Sequence, residues 1–409
     1  MVDVSIVIPC LNEAQSLEHC ISNARTALFA IHARYDLKGE IIIADNGSDD
    51  GSQAIARASG ARVVDVPKRG YGAALIGGFS DAKGRYLVMG DADGSYNFLD
   101  CVPMIGQLQA GADLCMGSRF AGGIKPGAMP WKNRYIGNPL LTAILNLFFR
   151  SGIEDAHCGI RALTADAFKQ LQLNSDGMEF ASEMVVKASL KRLRIAEVPA
   201  TLRPDLRDRP PHLRPWRDGW RHLRYMVMLS PTWTFGVPAA LGMGIGALVL
   251  VAALISHLVG TGQSSPFGTS WIIVAGFSIT CGHFAALMAI AMHLHGVREG
   301  YRVLRPSLRR LAGLMTLESC AVAGLALIVA AVAGLATIAY DWSSDGYAAL
   351  PSVLPLVLAA VAGTIGLQTM FGGFVLAIIG GHSAAFLRAD TPTIVTPDLA
   401  DKPEAAKAA

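Results

Sequence analysis

Residues Arg85-Tyr-Leu-Val-Met-Gly-Asp-Ala-Asp-Gly94 join an apolar run, typical of a buried strand, to two aspartates and a glycine turn. Side chains two residues apart in an extended chain project to the same face, so Asp91 and Asp93 can approach one cation. Mg²⁺ and Mn²⁺ prefer such oxygen ligands, with phosphate groups completing their coordination shell. The segment therefore predicts a metal and nucleoside-diphosphate site, although an Asp-Gly turn that only caps backbone amides would have the same sequence.

Short β-branched runs alternate with helical stretches around this segment. We predict strands at Val4–Ile8, Glu40–Ala44, Arg62–Val66, Arg85–Met89 and Ala112–Met116. Strands that alternate with helices indicate an α/β fold with a mostly parallel, Rossmann-like sheet covered by helices. In such open sheets, ligands bind beyond the carboxyl ends of the strands, which is where the acidic pair lies.

Polar segments also follow three other predicted strands, namely Pro9-Cys-Leu-Asn-Glu13, Asp45-Asn-Gly-Ser48 and Lys68-Arg-Gly-Tyr-Gly72. The last segment offers two cations and two glycines, which suit the close approach of a diphosphate near a helix start. Taken singly, it could be a plain turn, and the segment at Asp45 could be a turn with a helix cap. The sheet rule places all of these segments along one crevice with the acidic pair.

In this order and spacing, the four segments resemble the inverting family 2 glycosyltransferases, which have the GT-A fold. Further segments resemble the branch that glycosylates polyprenyl phosphates, the dolichyl-phosphate mannose and glucose synthases. These segments are Gly117-Ser-Arg-Phe120, Asn133-Arg134, Asp155 with Cys158-Gly-Ile-Arg161, Glu179-Phe-Ala-Ser-Glu183 and Glu197-Val-Pro199. The resemblance covers roughly residues 1–230 and is less distinctive beyond them.

The resemblance implies a role for each matching position. The nucleoside would be held by Pro9, Asn12, Glu13 and Asp45, with Lys68 and Gly70 close to it. Asp91 and Asp93 would serve the diphosphate and a Mg²⁺ or Mn²⁺ ion. Arg119 and Arg134 would bind the phosphate of the acceptor.

Two positions depart from the family pattern. Leu11 occupies a place that is often aromatic, and Ser95 stands where the mannosyl branch tends to carry Gln. These departures argue against GDP-mannose as the donor and favour a UDP-hexose, for example UDP-glucose. They also leave the third protein ligand of the metal open.

A polyprenyl phosphate acceptor would simplify the chemistry. The phosphate monoester is already anionic near neutral pH, so it can attack C1 of the sugar without a general base. The leaving diphosphate needs its charge neutralised, which a divalent cation and Lys68 could do. The planar fork of arginine matches phosphate oxygens, which favours Arg119 and Arg134 as acceptor ligands over ordinary surface arginines or ion-pair partners. Asp155 and Arg161 could equally form an internal ion pair that shapes the acceptor loop.

The composition changes sharply near Ser230, because almost all charged residues precede it and long uncharged runs follow it. A membrane helix needs about 20 apolar residues. We predict four spans, at Phe235–Ser256, Trp271–Met292, Leu311–Ala339 and Ala349–Ile379. The predicted organisation is a cytoplasmic GT-A domain (1–214), an interfacial amphipathic helix (215–230), a four-helix transmembrane region (231–383) and a flexible cytoplasmic tail (384–409).

The loops predict the orientation in the membrane. The connection between the second and third spans carries Arg298, Arg302, Arg305, Arg309 and Arg310, whereas 259–270 and 340–347 contain no Lys or Arg. The basic loop should face the cytoplasm, and four spans then place the N-terminal domain on the same side. Because no signal-peptide pattern opens the chain and the Ala- and Arg-rich composition favours a bacterial source, we expect a multi-pass protein of the bacterial inner membrane.

The stretch from Arg203 to Arg224 contains seven arginines, and its second half carries Trp216 and Trp220 at helical spacing. Basic residues attract anionic headgroups and tryptophans settle at the membrane boundary, so the stretch predicts an interfacial helix. An amphipathic helix packed on the soluble domain is the alternative.

Two other functions are compatible with parts of the sequence. A processive or hydroxyl-acceptor synthase should carry Gln-x-x-Arg-Trp, which this sequence lacks. A transporter or flippase with a nucleotide-binding regulatory domain should carry ionisable residues inside its spans. His283 and Glu318 are the candidates, and each could simply be an interhelical hydrogen bonder.

The remaining features of the sequence limit the kinds of partner and cofactor that the chain could bind. Seven scattered cysteines without a C-x-x-C pair indicate reduced packing residues rather than disulfides or a zinc site. The net charge of +3 does not indicate nucleic-acid binding. Gly242-Met-Gly244-Ile-Gly246 allows close helix contact, so a homo-oligomer is compatible with the sequence.

Overall fold

The computed structural model describes residues 2–208, 215–259, 268–304, 315–382 and 384–386. The chain divides into two compact units, Met1–Ser230 and Pro231–Ala409. Most of the predicted tail, together with residues 311–314 of the third predicted span, lies outside the described residues. The boundary assigned to the tail therefore stays a prediction, and so does the interfacial role assigned to residues 215–230.

The first unit is built on a twisted sheet with strand order β3-β2-β1-β4-β6-β5-β7. The strands are β1 Val4–Cys10, β2 Gly39–Asp45, β3 Arg62–Asp65, β4 Tyr86–Met89, β5 Leu114–Ser118, β6 Arg161–Thr164 and β7 Ile195–Pro199. Among these described strands, β6 is the one that runs antiparallel to its neighbours. The five predicted strands are present, and the prediction of a mostly parallel α/β fold is confirmed.

Helices cover both faces of the sheet. They are α1 Ala14–Tyr35, α2 Ser52–Ala58, α3 Tyr71–Asp81, α4 Cys101–Gln109, α5 Arg119–Gly122, α6 Asn138–Phe149, α7 Ala165–Leu171, α8 Phe180–Leu190 and α9 Pro215–Met228. Within β1, Ile6 and Ile8 belong to the core beneath α1 and α4, while Val7 belongs to the core beneath α3 and α8. Burial on both faces explains why this strand is an almost continuous apolar run.

The topology brings distant segments together at one edge of the sheet. Because β1, β2, β3, β4, β5 and β7 run parallel, their carboxyl ends meet there. The antiparallel strand β6 begins at the same edge. The segments that follow β1 to β5 are those singled out above, whereas the segment that follows β7 is an addition that the sequence pattern does not predict.

The second unit contains four long apolar helices. They are α10 Val237–Val259, α11 Thr269–Arg298, α12 Leu317–Ser344 and α13 Leu354–Ile379. Each is long and apolar enough to cross a membrane, so the four predicted apolar helices are present among the described residues, while their crossing of a membrane stays a prediction. Glu318 lies in the first turn of α12, where a carboxylate stabilises the helix dipole.

Small and polar residues pack these helices against one another. A Cβ atom at Gly246 of α10 would lie 2.7 Å from the Ala275 carbonyl of α11, so this glycine serves contact within the chain. His283 Nδ1 lies 2.8 Å from Gln368 Oε1, which joins α11 to α13. Gly246 is therefore used for packing inside one chain, and His283 is an interhelical hydrogen bonder.

Candidate active site

The acidic pair follows β4 and is held by hydrogen bonds on both residues. The Tyr71 hydroxyl donates to Asp91 Oδ1 at 2.8 Å, and the Ser95 amide donates to Asp93 Oδ1 at 2.9 Å. Burial, followed by the charge of Asp93, raises the pKa of Asp91 to about 6. Two carboxylates held this close repel each other, which favours a cation beside them.

Arg207 supplies such a cation from the segment after β7. Its guanidinium contacts three carboxylates, Glu13 Oε1 at 3.1 Å, Asp93 Oδ2 at 3.0 Å and Asp205 Oδ2 at 3.1 Å. The Leu206 amide also donates to the Asp93 carbonyl at 2.9 Å, which ties this segment to the acidic loop. The sequence places Arg207 only in an arginine-rich stretch assigned to the membrane surface, and the structure corrects that assignment for this residue.

Asp45 ends β2 and organises the next loop. Its Oδ2 accepts hydrogen bonds from the Gly47 and Ser48 amides at 3.0 and 3.1 Å and from Gln53 Nε2 at 2.7 Å. Burial alone would raise the pKa of Asp45, but these hydrogen bonds outweigh it and lower the pKa. Its Oδ1 is buried and accepts no hydrogen bond from the described residues, so it is available to an N–H or O–H group of a ligand.

The loops after β1 and β2 are bonded to each other. Asn12 Oδ1 accepts from the Asp49 amide at 2.9 Å, and the Asn12 amide donates to Ser48 Oγ at the same distance. Pro9 lies buried in β1, opposite Ala44 of β2. The structure thus brings Pro9, Asn12, Glu13 and Asp45 together, as predicted for one pocket, while their contact with a nucleoside stays a prediction.

The segment Lys68–Gly72 is positioned by Asn46, a residue with no predicted role. Asn46 Nδ2 donates to the Lys68 carbonyl at 2.7 Å, and its Oδ1 accepts from the Gly70 amide at 2.7 Å. Lys68 is exposed and pairs with Asp176 at 2.7 Å. The hydrogen-bonding capacity of an asparagine after a strand is the sequence signal that could have identified Asn46.

The two glycines of this segment accommodate the chain's own backbone. A Cβ atom at Gly70, where φ is +139°, would lie 2.1 Å from the Asp176 carbonyl, and one at Gly72 would lie 2.1 Å from the Ser175 carbonyl. These glycines therefore make room for the carbonyls of residues 175 and 176, while the expectation that they also make room for a diphosphate stays a prediction. A role of Gly70 in donor binding stays a prediction.

Arg119 and Asp155 form a buried ion pair. The Asp155 carboxylate accepts from Arg119 Nε at 2.6 Å, from the second guanidinium nitrogen at 2.7 Å and from the Arg119 amide at 3.0 Å. Arg161 instead donates to the carbonyls of Cys158, Ala181 and Ala156. The expected ion pair of Asp155 with Arg161 is wrong, since the partner of Asp155 is Arg119.

Arg134 lies in a π-helical turn, Asn133–Gly137, that leads into α6. Its guanidinium stacks on the Tyr135 ring with 5.3 Å to the ring centroid. Exposed apolar side chains occur in this segment and along α6, namely Trp131, Tyr135, Ile136, Leu140 and Leu147. Ile136, Leu140 and Leu147 share one face of the helix because they are four and seven residues apart. This exposed apolar face was not predicted, since apolar residues also occur on the other face of α6, where Leu145 is buried.

The donor set fits a divalent cation at the acidic pair. The hydrogen bond to Asp91 occupies only Oδ1, and the described residues place no donor on its Oδ2. Among the described residues, no group of three or more His, Cys, Asp or Glu side chains is placed to hold a metal ion. Mg²⁺ usually takes one or two carboxylates and completes its shell with phosphate oxygens and water, so Asp91 and Asp93 are the residues that would hold it, and this role stays a prediction.

Two family models match the sequence. One, described as glycosyl transferase family 2, matches residues 5–172. The other, described as the glycosyltransferase family 2 C-terminal transmembrane region, matches residues 290–380. The two matches lie in the first and second units respectively.

Two proteins with similar sequences bear the names of sugar-transferring enzymes. The low-salt glycan biosynthesis hexosyltransferase Agl6 of Haloferax volcanii is 35% identical over 382 residues, which cover 92% of this chain and 89% of that protein. The polyprenol monophosphomannose synthase of Mycolicibacterium smegmatis is 28% identical over 209 residues, covering 48% of this chain and 76% of that protein.

A crystal structure with a similar fold is that of glucosyl-3-phosphoglycerate synthase from Mycobacterium tuberculosis in complex with Mn²⁺, uridine diphosphate and glucosyl-3-phosphoglycerate. It aligns with a TM-score of 0.41 and 24% identity, covering 56% of this chain and 78% of that chain.

Proposed function

Because the chain belongs to glycosyltransferase family 2, we propose that it transfers a hexose from a nucleoside-diphosphate hexose to a polyprenyl phosphate, with inversion at C1. UDP-glucose is the preferred donor. The reaction takes place at the cytoplasmic face of a bacterial inner membrane, in which α10 to α13 anchor the chain. The names of the similar proteins, a hexosyltransferase and a polyprenol monophosphomannose synthase, support the hexose and the polyprenyl phosphate respectively.

The observation that carries the acceptor assignment is the position of Arg134 beside the exposed apolar face of α6. A polyprenyl phosphate has an anionic head and a long apolar chain, and this surface offers a cation next to apolar side chains. Exposed apolar faces of this size are uncommon on soluble domains and mark sites of contact with membranes or partners. Trp216 and Trp220 of α9 are also exposed, which adds aromatic side chains suited to a membrane boundary.

Residues at the carboxyl edge of the sheet support a nucleoside-diphosphate hexose as the donor. Asp45 offers a buried, unsatisfied acceptor for the nucleoside. Asp91 and Asp93 would hold a Mg²⁺ or Mn²⁺ ion, which when bound would stabilise negative charge on the diphosphate. Arg207 lies among the carboxylates and is 3.0 Å from Asp93, so its guanidinium is close to the position proposed for the diphosphate.

The proposed chemistry needs no general base. An oxygen of the acceptor phosphate, held by Arg134, attacks C1 of the sugar from the side opposite the diphosphate. The bond between C1 and the diphosphate oxygen breaks, and its electron pair leaves with the nucleoside diphosphate. Arginine stabilises this departure because it keeps its charge and presents several donors to phosphate oxygens.

The full chain, purified in detergent, can test this function with radiolabelled UDP- and GDP-hexoses and polyprenyl phosphate, with and without EDTA. We expect label in the lipid phase that EDTA abolishes, and the labelled donor identifies the sugar. Asp93→Ala should abolish transfer, whereas Asp166→Ala, which changes an exposed aspartate of α7, should not. Full activity of Asp93→Ala in the presence of Mg²⁺ would contradict the mechanism, and absence of labelled lipid from every donor would contradict the acceptor.

A further inference from the structure

Tyr71 is the first residue of α3, and its hydroxyl reaches across the crevice to the acidic pair. The Oη atom donates to Asp91 Oδ1 at 2.8 Å, between residues that are 20 positions apart in the chain. Tyr71 belongs to the segment Lys68–Gly72, whose charges and glycines were assigned to the donor, but the tyrosine itself has no predicted role. A tyrosine hydroxyl carries its proton near neutral pH, so it acts as the donor to the carboxylate.

The backbone around Tyr71 fixes where its hydroxyl points. Gly70 and Gly72 on either side pack directly against the carbonyls of residues 176 and 175. The Ala73 amide donates to the Asp176 carbonyl at 3.1 Å. Glu183 in turn accepts from the Ser175 amide at 2.8 Å, which anchors this loop to α8. The start of α3 is therefore held from both sides, and the tyrosine ring is preorganised.

The opposite side of Asp91 is also closed. A Cβ atom at Gly159 would lie 2.4 Å from Asp91 Oδ2, so only a glycine fits beside the carboxylate. The Gly159 amide is itself fixed by donating to the Tyr96 hydroxyl at 2.9 Å. The carboxylate thus sits between a hydrogen-bond donor on Oδ1 and a tightly packed backbone beside Oδ2.

We infer that Tyr71 is the positioning residue of Asp91, and that its hydroxyl sets the affinity of this site for a nucleoside diphosphate in complex with a divalent cation. This inference rests on the proposed function. By donating to Oδ1, the hydroxyl fixes the orientation of the Asp91 carboxylate, which together with Asp93 would hold the cation. Ligating carboxylates are commonly oriented by such outer hydrogen bonds, whose loss weakens metal binding by about 10- to 100-fold.

The variant Tyr71→Phe isolates the hydroxyl, because phenylalanine fills the same volume and keeps the ring packing. Tyr86→Phe is the matched control, since it removes a tyrosine hydroxyl from β4 that makes no hydrogen bond with the described residues. Binding of Mn²⁺ to the full chain in detergent is followed by electron paramagnetic resonance of free Mn²⁺ in the presence of UDP. Because UDP alone also binds Mn²⁺, the difference from the same Mn²⁺ and UDP without protein reports the occupied site, and no turnover is required.

We expect the dissociation constant for Mn²⁺ with UDP to rise by about 10- to 100-fold in Tyr71→Phe and to stay unchanged in Tyr86→Phe. In the transfer assay, the KM for Mn²⁺ should rise in Tyr71→Phe while kcat at saturating Mn²⁺ stays within about threefold of the unmodified protein, because the remaining machinery is intact. A general loss of structure would lower kcat as well.

Two results would overturn the inference, and they can be told apart. If Tyr71→Phe binds Mn²⁺ and UDP within twofold of the unmodified protein, the positioning role is wrong while the proposed function stands. If the unmodified protein binds no Mn²⁺ in the presence of UDP, the metal site of the proposed function fails, and the role of Tyr71 fails with it.

Discussion

Replacing Asp155 by alanine should destabilise the first unit strongly, because it leaves the Arg119 guanidinium buried without its counter-ion. Asp155 is fully buried, and Arg119 is 7% exposed. The carboxylate accepts three hydrogen bonds from Arg119, two from its guanidinium and one from its amide. The Asp155 amide donates to Glu197 and survives the substitution, so the loss is confined to the carboxylate.

The size of the expected destabilisation follows from the removal of only one partner of a buried ion pair. Removal of one partner of a buried ion pair costs about 3–5 kcal/mol, because the other charge remains without compensation. For a unit of this size, each kcal/mol lowers Tm by about 2–4 °C. Asp155→Ala should therefore lower Tm by about 6–20 °C, measured by thermal unfolding of the full chain in detergent.

Two further variants make the reasoning quantitative. Asp176→Ala removes the carboxylate of the exposed pair with Lys68, in which both side chains are more than 40% accessible, and should cost less than about 1 kcal/mol. The double variant Arg119→Met/Asp155→Leu removes both buried charges and keeps similar volumes, so it should recover most of the stability lost in Asp155→Ala.

The reasoning is refuted if Asp155→Ala and Asp176→Ala lower Tm equally, or if the double variant is less stable than Asp155→Ala alone. The double variant also tests the predicted acceptor role of Arg119. If it folds and keeps the KM of the unmodified protein for polyprenyl phosphate, Arg119 is a structural residue and not an acceptor ligand.

Two more predictions concern the acceptor and the pH range. Arg134→Ala should raise the KM for polyprenyl phosphate about tenfold without changing the KM for the donor. Arg134→Lys should raise it less, because lysine keeps the charge but lacks the planar fork. Equal changes in both KM values would contradict this prediction. Burial, then the charge of Arg161, lowers the pKa of His222 to about 4. The unfolded chain therefore takes up this proton more readily than the folded chain does. The contribution of His222 to the free energy of unfolding is fully present above pH 6.5, and about 3 kcal/mol of it is lost as pH falls toward 4. His222→Asn should flatten the dependence of Tm on pH, and a parallel fall of both proteins would show that another group is responsible.

Local sequence patterns account for much of the fold. The runs at Val4–Ile8 and Glu40–Ala44 are apolar and β-branched, so they form strands wherever both faces can be buried. The strand β6, Arg161–Thr164, has no such pattern, because it begins with a charged residue whose guanidinium is satisfied by three carbonyls in the folded chain. Short strands of this kind depend on their neighbours more than on their own residues.

The residues of the candidate site also fall into two groups, those that the sequence identifies and those that only the folded chain identifies. Asp91 and Asp93 can be found from their position after a strand, since the carboxyl edge of a parallel sheet collects ligands. Tyr71 and Asn46 act through hydrogen bonds to residues about 20 positions away, and no periodic pattern signals such a bond. Gly70 has a typical ligand-loop sequence, yet its conformation serves packing against Asp176.

The sequence by itself determined the fold class, the edge of the sheet that carries the site and the four apolar helices. These properties depend on strand and helix periodicity and on runs of about 20 apolar residues, which are local features of the chain. Only the tertiary structure decided which charges pair, as for Arg207 with Glu13, which are 194 residues apart, and for Arg119 with Asp155. Such pairs depend on where the packed sheet brings distant loops together, and many partners of opposite charge are equally compatible with the sequence.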